Sequence, residues 1–301
     1  MEVVGEDECP NCGKRRTLYD NKTAHCNNCG GDFDIGMKVI GESPSEIIVV
    51  TGTTRKQKPS EDAFVARTLR VFVSYSHEDG RLASALKSRL ERFGLNVFLA
   101  HVDIKPSLEW QEEILRTLKR SDIFIPLLTE NFVLSEWTDQ ETGIAVSEQK
   151  YIIPLSTNVI PYGFIAKYQK LDFKPIVMLG DWIDCDQGCK DIINVIISIE
   201  EFKEQIKEGL ISSFVKSGTF REAGEISDFL GGFDNFSAEQ IREIIRGIAT
   251  NRQINDSDSA KPFVKKFLSN YNQYVDASRK ERIKQILERL SLNEIHQKPT
   301  I

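Results

Sequence analysis

R-V-F-V-S-Y-S-H-E-D, residues 70–79, decides the fold of this chain. Val71 to Tyr75 is a short run of β-branched and aromatic residues, the composition of a strand buried on both faces. It ends without a turn residue and runs straight into polar Ser76 to Gly80. An apolar strand that delivers polar groups to its carboxyl end is the building unit of an open α/β sheet, where sites form beyond the strand ends.

Working outward, the same unit recurs. Residues 81–93 carry Leu82, Leu86, Leu90 and Phe93 at helical spacing, and Gly94 supplies a helix stop. N-V-F-L (96–99) predicts a second strand, and 108–119 a helix with Ser107 as its N-cap. I-F-I-P-L-L (123–128) predicts a third strand, although Pro126 is awkward in a central one. A helix over 137–148 and strands at 152–155 and 175–179 complete the series. Strands separated by helices of this length pair in parallel through right-handed crossovers. Five such units predict an α/β, flavodoxin-like five-stranded parallel sheet over residues 68–185. The loops after the first three strands (76–80, 100–106 and 129–137) then converge on one edge. W-T-D-Q-E (137–141) adds an aromatic and a carboxylate one helical turn apart, so Trp137 and Glu141 share a face.

Residues 190–301 change character. Helices are expected at 191–207, 210–216, 219–230, 237–249, 259–269 and 276–291, with Ser237 and Gln240 forming a capping box. Acidic and basic residues balance there, so no basic surface is implied. Residues 41–67 read as a linker.

Residues 1–40 hold four of the six cysteines, in C-P-N-C-G (9–13) and C-N-N-C-G (26–30). Each C-x2-C knuckle puts two thiolates on one tight turn, and four thiolates around one ion is the closed tetrahedral site of structural zinc. The 13-residue gap between knuckles accommodates a hairpin. Cys9, Cys12, Cys26 and Cys29 are therefore the expected zinc ligands of a ribbon-like module. Too small for a core of its own, the module would draw its folding energy from the metal. Cys185 and Cys189 are expected to be free thiols.

At 301 residues the chain has room for two or three cores, and 40% hydrophobic with 28% charged residues is ordinary for a globular protein. A net charge of −6 argues against general nucleic-acid binding. No apolar run approaches the roughly 18 residues of a membrane span. The acidic N-terminus lacks the basic and apolar regions of a secretion signal, so the cytoplasm is the expected compartment.

Four stretches, in order, carry a family resemblance: R-V-F-V-S-Y-S-H-E-D (70–79), G-L-N-V-F-L-A-H-V-D-I-K-P-S-L-E-W (94–110), S-D-I-F-I-P-L-L-T-E-N-F-V-L-S-E-W (121–137) and W-T-D-Q-E (137–141). Together they resemble the first box, the second strand and BB loop, the third strand and loop, and the glutamate helix of TIR (Toll/interleukin-1 receptor) domains of bacterial or archaeal type. Ser107 departs from the glycine that many members carry there, which bears on BB-loop shape and self-assembly. The resemblance implies a NAD+ nucleosidase that cleaves the nicotinamide–ribose bond to give nicotinamide and ADP-ribose or a cyclic ADP-ribose, in stress or antiphage signalling. It implies Glu141 as the catalytic carboxylate. Ser74, Tyr75, Ser76, His77, His101, Asp103, Trp110 and Trp137 are the implied substrate contacts. It further implies activation by self-association through the TIR domain, with a protein trigger acting on the zinc module or the helical region. The alternative is a noncatalytic scaffold working through TIR–TIR contacts. A phosphorylated receiver is disfavoured because the acidic cluster expected beside the first strand is missing. No G-x-G-x-x-G loop appears, which argues against a dehydrogenase.

Overall fold

The computed structural model describes the backbone of 6–8, 15–18, 23–25, 32–34, 36–37, 50–51, 68–99, 110–177 and 183–295, with side chains over 68–99, 111–177 and 183–290. The chain forms two units, Met1–Val65 and Ala66–Ile301.

In the first unit, strands Glu6–Glu8, Arg15–Leu18, Thr23–His25 and Asp32–Asp34 form an antiparallel sheet in chain order. Arg15–Leu18 and Thr23–His25 are the hairpin that the cysteine spacing allows. Glu8 pairs with Arg15, and His25 with Asp32. These four residues are the strand ends from which both C-x2-C segments leave, and the up-and-down order sets them at one end of the sheet. The cysteines lie outside the described residues.

In the second unit, β1 (Arg70–Ser74) is buried along Val71 to Ser74 and pairs on both sides. Its neighbours are β2 (Asn96–Leu99) and β3 (Ile123–Leu128). Strand β4 comes in two pieces, Tyr151–Ile152 and Leu155–Ser156, and β5 (Leu171–Asp172) closes the edge. The sheet is parallel, with order β2-β1-β3-β4-β5. This is the doubly wound arrangement that the strand and helix alternation predicts.

Pro126 is accommodated by register. Tyr151 pairs with Ile123 and Leu155 with Leu127, so the break in β4 puts Pro154 opposite Pro126. The two residues without an N–H thus lie opposite each other at the break in β4.

The fifth strand differs from expectation. Ile176–Val177 does not join the sheet; it forms a short antiparallel ribbon with Ile183–Asp184. Ile176 and Val177 are 62% and 70% exposed, whereas Phe173, just past β5, is buried. An apolar doublet marked the wrong place because the edge strand carries its buried residue outside its own two-residue pairing.

Side chains alternate across β1. Val71 and Val73 enter one core with Leu86 and Leu90 of α1 (Gly80–Glu91) and Ile192 and Ile196 of α5 (Asp186–Ser198). Phe72 enters the other with Phe124, Ile114 and Leu118 of α2 (Trp110–Arg120), and Ala145 of α4 (Glu136–Ser147). The short α3 (Glu130–Val133) precedes α4.

The expected single helix at 191–207 is two. Helix α5 stops at Ile199, which is extended (φ −86°, ψ 110°), and after one 3-10 turn α6 (Lys203–Val215) begins. Helices α7 (Phe220–Leu230), α8 (Ala238–Thr250), α9 (Arg252–Asn255), α10 (Lys261–Tyr271) and α11 (Lys280–Ile295) follow. The Ser237–Gln240 capping box is formed.

This helical region continues the α1 side of the sheet core. Leu210, Ile244 and Ile248 belong to the same apolar cluster as Val71. Gly94 (φ +83°) approaches Gly209 of α6 so closely that a Cβ on Gly94 would lie 2.3 Å from the Gly209 carbonyl oxygen. Next to it, Phe93 meets Phe229 edge-on at 5.4 Å. Buried Arg89 of α1 pairs with Asp186 of α5 at 2.5 Å and with Glu225 of α7.

Candidate active site

Ser74 is the last residue of β1 and points to the same side as Phe72, the side that α4 covers. The inner stripe of α4 is Thr138, Glu141, Thr142 and Ala145, at i, i+3, i+4 and i+7. That spacing ordinarily carries apolar residues. Here three of the four are polar, and Glu141 stands where the stripe crosses the end of β1. The Ser74 hydroxyl donates to Glu141 Oε2 at 2.5 Å.

Glu141 is 2% exposed, and its Oε1 has no hydrogen-bond partner among the described residues. Burial pushes its carboxyl up to about 7, with the Ser74 hydrogen bond opposing that rise by favouring the charged form. No basic side chain is among the causes of the shift. The group is thus a desolvated carboxylate held by one hydroxyl, at the carboxyl end of the interior strand β1.

The surrounding loops are tied in place. Thr129 Oγ1 and Asn131 Nδ2 both donate to Asp79, at 2.5 and 3.0 Å, joining the loop after β1 to the start of α3. Thr129 also accepts from the Phe132 amide and caps α3. Thr138 donates to the Phe132 and Ser135 carbonyls at 2.7 Å each, which anchors the first turn of α4. The sequence reading missed Asp79, Thr129 and Thr138. Of the three, Thr129 carried a signal, as an N-cap threonine before α3, but their partners are set by the crossing of loops.

Of the sequence-predicted residues, Ser74 and Glu141 are in direct contact. Tyr75 is turned into the α1-side core, and Ser76 is buried at the start of the 3-10 turn His77–Asp79. His77 is exposed, and Trp137 is half-buried one turn before Glu141. Trp110 begins α2, and His101 and Asp103 lie outside the described residues. Exposed Asp139 accepts from the Tyr162 hydroxyl at 2.8 Å, and Glu136 is exposed, so neither has the burial of Glu141. Among the described residues, no helix is long and apolar enough to cross a membrane, and no cluster of three or more metal-ligating side chains occurs.

The TIR domain family model matches residues 71–178. The chain is similar to the TIR domain of the Toll-related receptor TRR-2 from Hydra magnipapillata, at 20% identity and a TM-score of 0.32, over 45% of this chain and 96% of that one. No curated protein matches. Residues 71–178 of this chain carry a TIR domain.

Proposed function

We propose that the chain is a TIR-type NAD+ nucleosidase in which Glu141 faces the reacting ribose. One observation carries this reading: a buried carboxylate, fixed through Oε2 by Ser74, keeps Oε1 unpartnered among the described residues at the carboxyl edge of the sheet. A desolvated acceptor left unpaired costs about 1–3 kcal/mol or more. Such a cost is consistent with a group kept for a ligand rather than for the fold.

The chemistry suits a single carboxylate. Nicotinamide leaves as a neutral base, taking the electron pair of the C1–N bond, and needs no acid to help it. Positive charge develops on the ribose, as in other glycoside cleavage. A carboxylate about 4 Å away stabilises that charge by on the order of 4 kcal/mol at moderate dielectric, about a thousandfold in rate. Water or the adenine of the same molecule then captures C1, giving ADP-ribose or its cyclic form. Trp137, on the same face as Glu141, is suited to stack on a substrate ring. Ser76 and His77 follow β1 at the same edge, Tyr75 supports that edge from the core, and His101, Asp103 and Trp110 belong to the reading as substrate contacts. Ser74 serves chiefly to position Glu141.

The reading includes self-association as the activating step, a role in stress or antiphage signalling, and a zinc module at Cys9, Cys12, Cys26 and Cys29. Leu134, 83% exposed between α3 and α4, favours a second reading, a noncatalytic scaffold acting through TIR–TIR contacts. Full-length protein incubated with NAD+, dilute and under crowding, separates the two. Released nicotinamide, lost about a thousandfold in Glu141→Ala, is the expected result. No release in any assembled state favours the scaffold. Equal release by the variant removes Glu141 from the chemistry.

A further inference from the structure

Cys185 and Cys189 sit outside the candidate active site, at the seam between the sheet and the helical region. Both are free and buried, and the Cys189 thiol points at Cys185, with the sulfurs 3.9 Å apart. Cys185 is the N-cap of α5 and Cys189 lies one turn later. Cys185 is buried but lines a cavity of about 690 Å³ shared with His77, Arg81, Arg92, Thr219 and Arg221, which gives a small molecule room beside this residue. That volume lies within the range of ligand pockets.

The geometry points to a peroxide-sensing dithiol, in which a hydroperoxide entering this cavity oxidises Cys185 and Cys189 closes a disulfide onto it. The Cys189 hydrogen bond holds the Cys185 thiol below its ordinary value, against the effect of burial, and the Arg89 guanidinium acts in the same direction as that bond. Cys189 is pushed up, first by its bond to Cys185 and then by burial and the neighbouring sulfur's charge. The two thiols therefore divide the work. The Cys185 thiolate attacks a peroxide oxygen; the S–O bond forms, the O–O bond breaks, and the leaving oxygen takes a proton to become water or an alcohol. Cys185 is then a neutral sulfenic acid, which relieves the charge that kept Cys189 protonated. The Cys189 sulfur displaces hydroxide, which leaves as water with the Cys189 proton. Two thiols and one peroxide give one disulfide and two oxygen leaving groups, and the peroxide is the oxidant.

The consequence is mechanical. Residues four apart on a helix hold their Cβ atoms about 5–6 Å apart, while a disulfide needs about 3.8 Å. Cys185 is not helical (φ −124°, ψ 17°), so it is the partner that moves. Its neighbour Asp186 pairs with both Arg89 and Arg221. Oxidation thus pulls on the ion pairs that join α1, α5 and α7.

Peptide mapping of full-length protein after hydrogen peroxide tests this. The tryptic peptide holding both cysteines should be protected from alkylation, lighter by two hydrogens, unlinked to other cysteines and restored by dithiothreitol. In Cys189→Ser, Cys185 should stop at the sulfenic acid and be captured by dimedone. Amide exchange in the first turns of α5 and α7 should rise at least several-fold in the oxidised wild type. If both thiols stay fully alkylatable at peroxide doses that oxidise the N-terminal cysteines, the dithiol assignment fails. A disulfide that leaves exchange in α5 and α7 unchanged overturns the switch.

Discussion

Ser74 reaches Glu141 across 67 residues of chain, hydroxyl to carboxylate at 2.5 Å, and this bond is the described contact that holds the buried carboxylate in place. With burial pushing the Glu141 carboxyl up to about 7, its protonation state changes near neutrality. The proposed chemistry needs the ionised form. NAD+ cleavage should therefore fall about tenfold per pH unit below about 7 and level off above it. Ser74→Ala removes the bond that favours the carboxylate, so its carboxyl rises further. A bond to a charged group is worth about 1.5–3 kcal/mol, or roughly one to two pH units. The rising limb should move to higher pH with the plateau largely kept. A profile that drops uniformly without moving would show that Ser74 acts otherwise.

The same shift predicts a conflict between stability and chemistry. A carboxyl raised from 4.5 to about 7 binds more protons folded than unfolded across that window, so stability falls as pH rises through it. The loss is about 3 kcal/mol in all. Glu141→Gln keeps an acceptor for Ser74 and never ionises. It should be more stable than wild type at pH 8 by about 2–3 kcal/mol and nearly equal at pH 4. Denaturant midpoints at the two pH values check this, and a variant less stable at pH 8 refutes the sign.

Legibility in the sequence followed range. The strand pattern was enough for a parallel doubly wound sheet and for its first four strands, because each apolar run is local and crossovers have one hand. The face shared by Trp137 and Glu141 was also local. The Ser74–Glu141 bond was not, since it depends on where α4 crosses β1. Nor was the stop at Ile199, because apolar spacing continues unbroken from Ile196 to Phe202 without a helix-stop residue. Ile176 and Val177 misled because apolar composition does not by itself report burial.

Two glycines offer opposite outcomes. Gly209→Ala would put a Cβ 2.9 Å from the Gly94 carbonyl oxygen, backbone that cannot rotate away. It should cost roughly 1–3 kcal/mol, as overpacking does. Gly143 lies inside α4 with nothing within 4 Å of a built Cβ. Gly143→Ala should stabilise by about 0.5–1 kcal/mol through helix propensity alone. Urea midpoints of the two variants should move in opposite directions.

Metal content is a direct measurement. Freshly purified protein is expected to hold about one zinc per chain, lost in a Cys12→Ser variant. Zinc-free protein that keeps the exchange protection of the Arg15–Leu18 and Thr23–His25 hairpin would remove the metal from the account.

The meeting of Gly94 with Gly209 has a bearing on how this protein is handled and how it evolves. A contact with no side chains between two backbones has no slack, and it sits inside an apolar cluster that runs from Val71 to Ile248. A boundary drawn after the last strand of the sheet is therefore a scar rather than a joint. Cutting there leaves two wet, greasy faces that were never surfaces, and a trimmed fragment that precipitates would say nothing about its chemistry. Swapping the helices for those of another protein would require a residue without a Cβ where α6 meets Gly94.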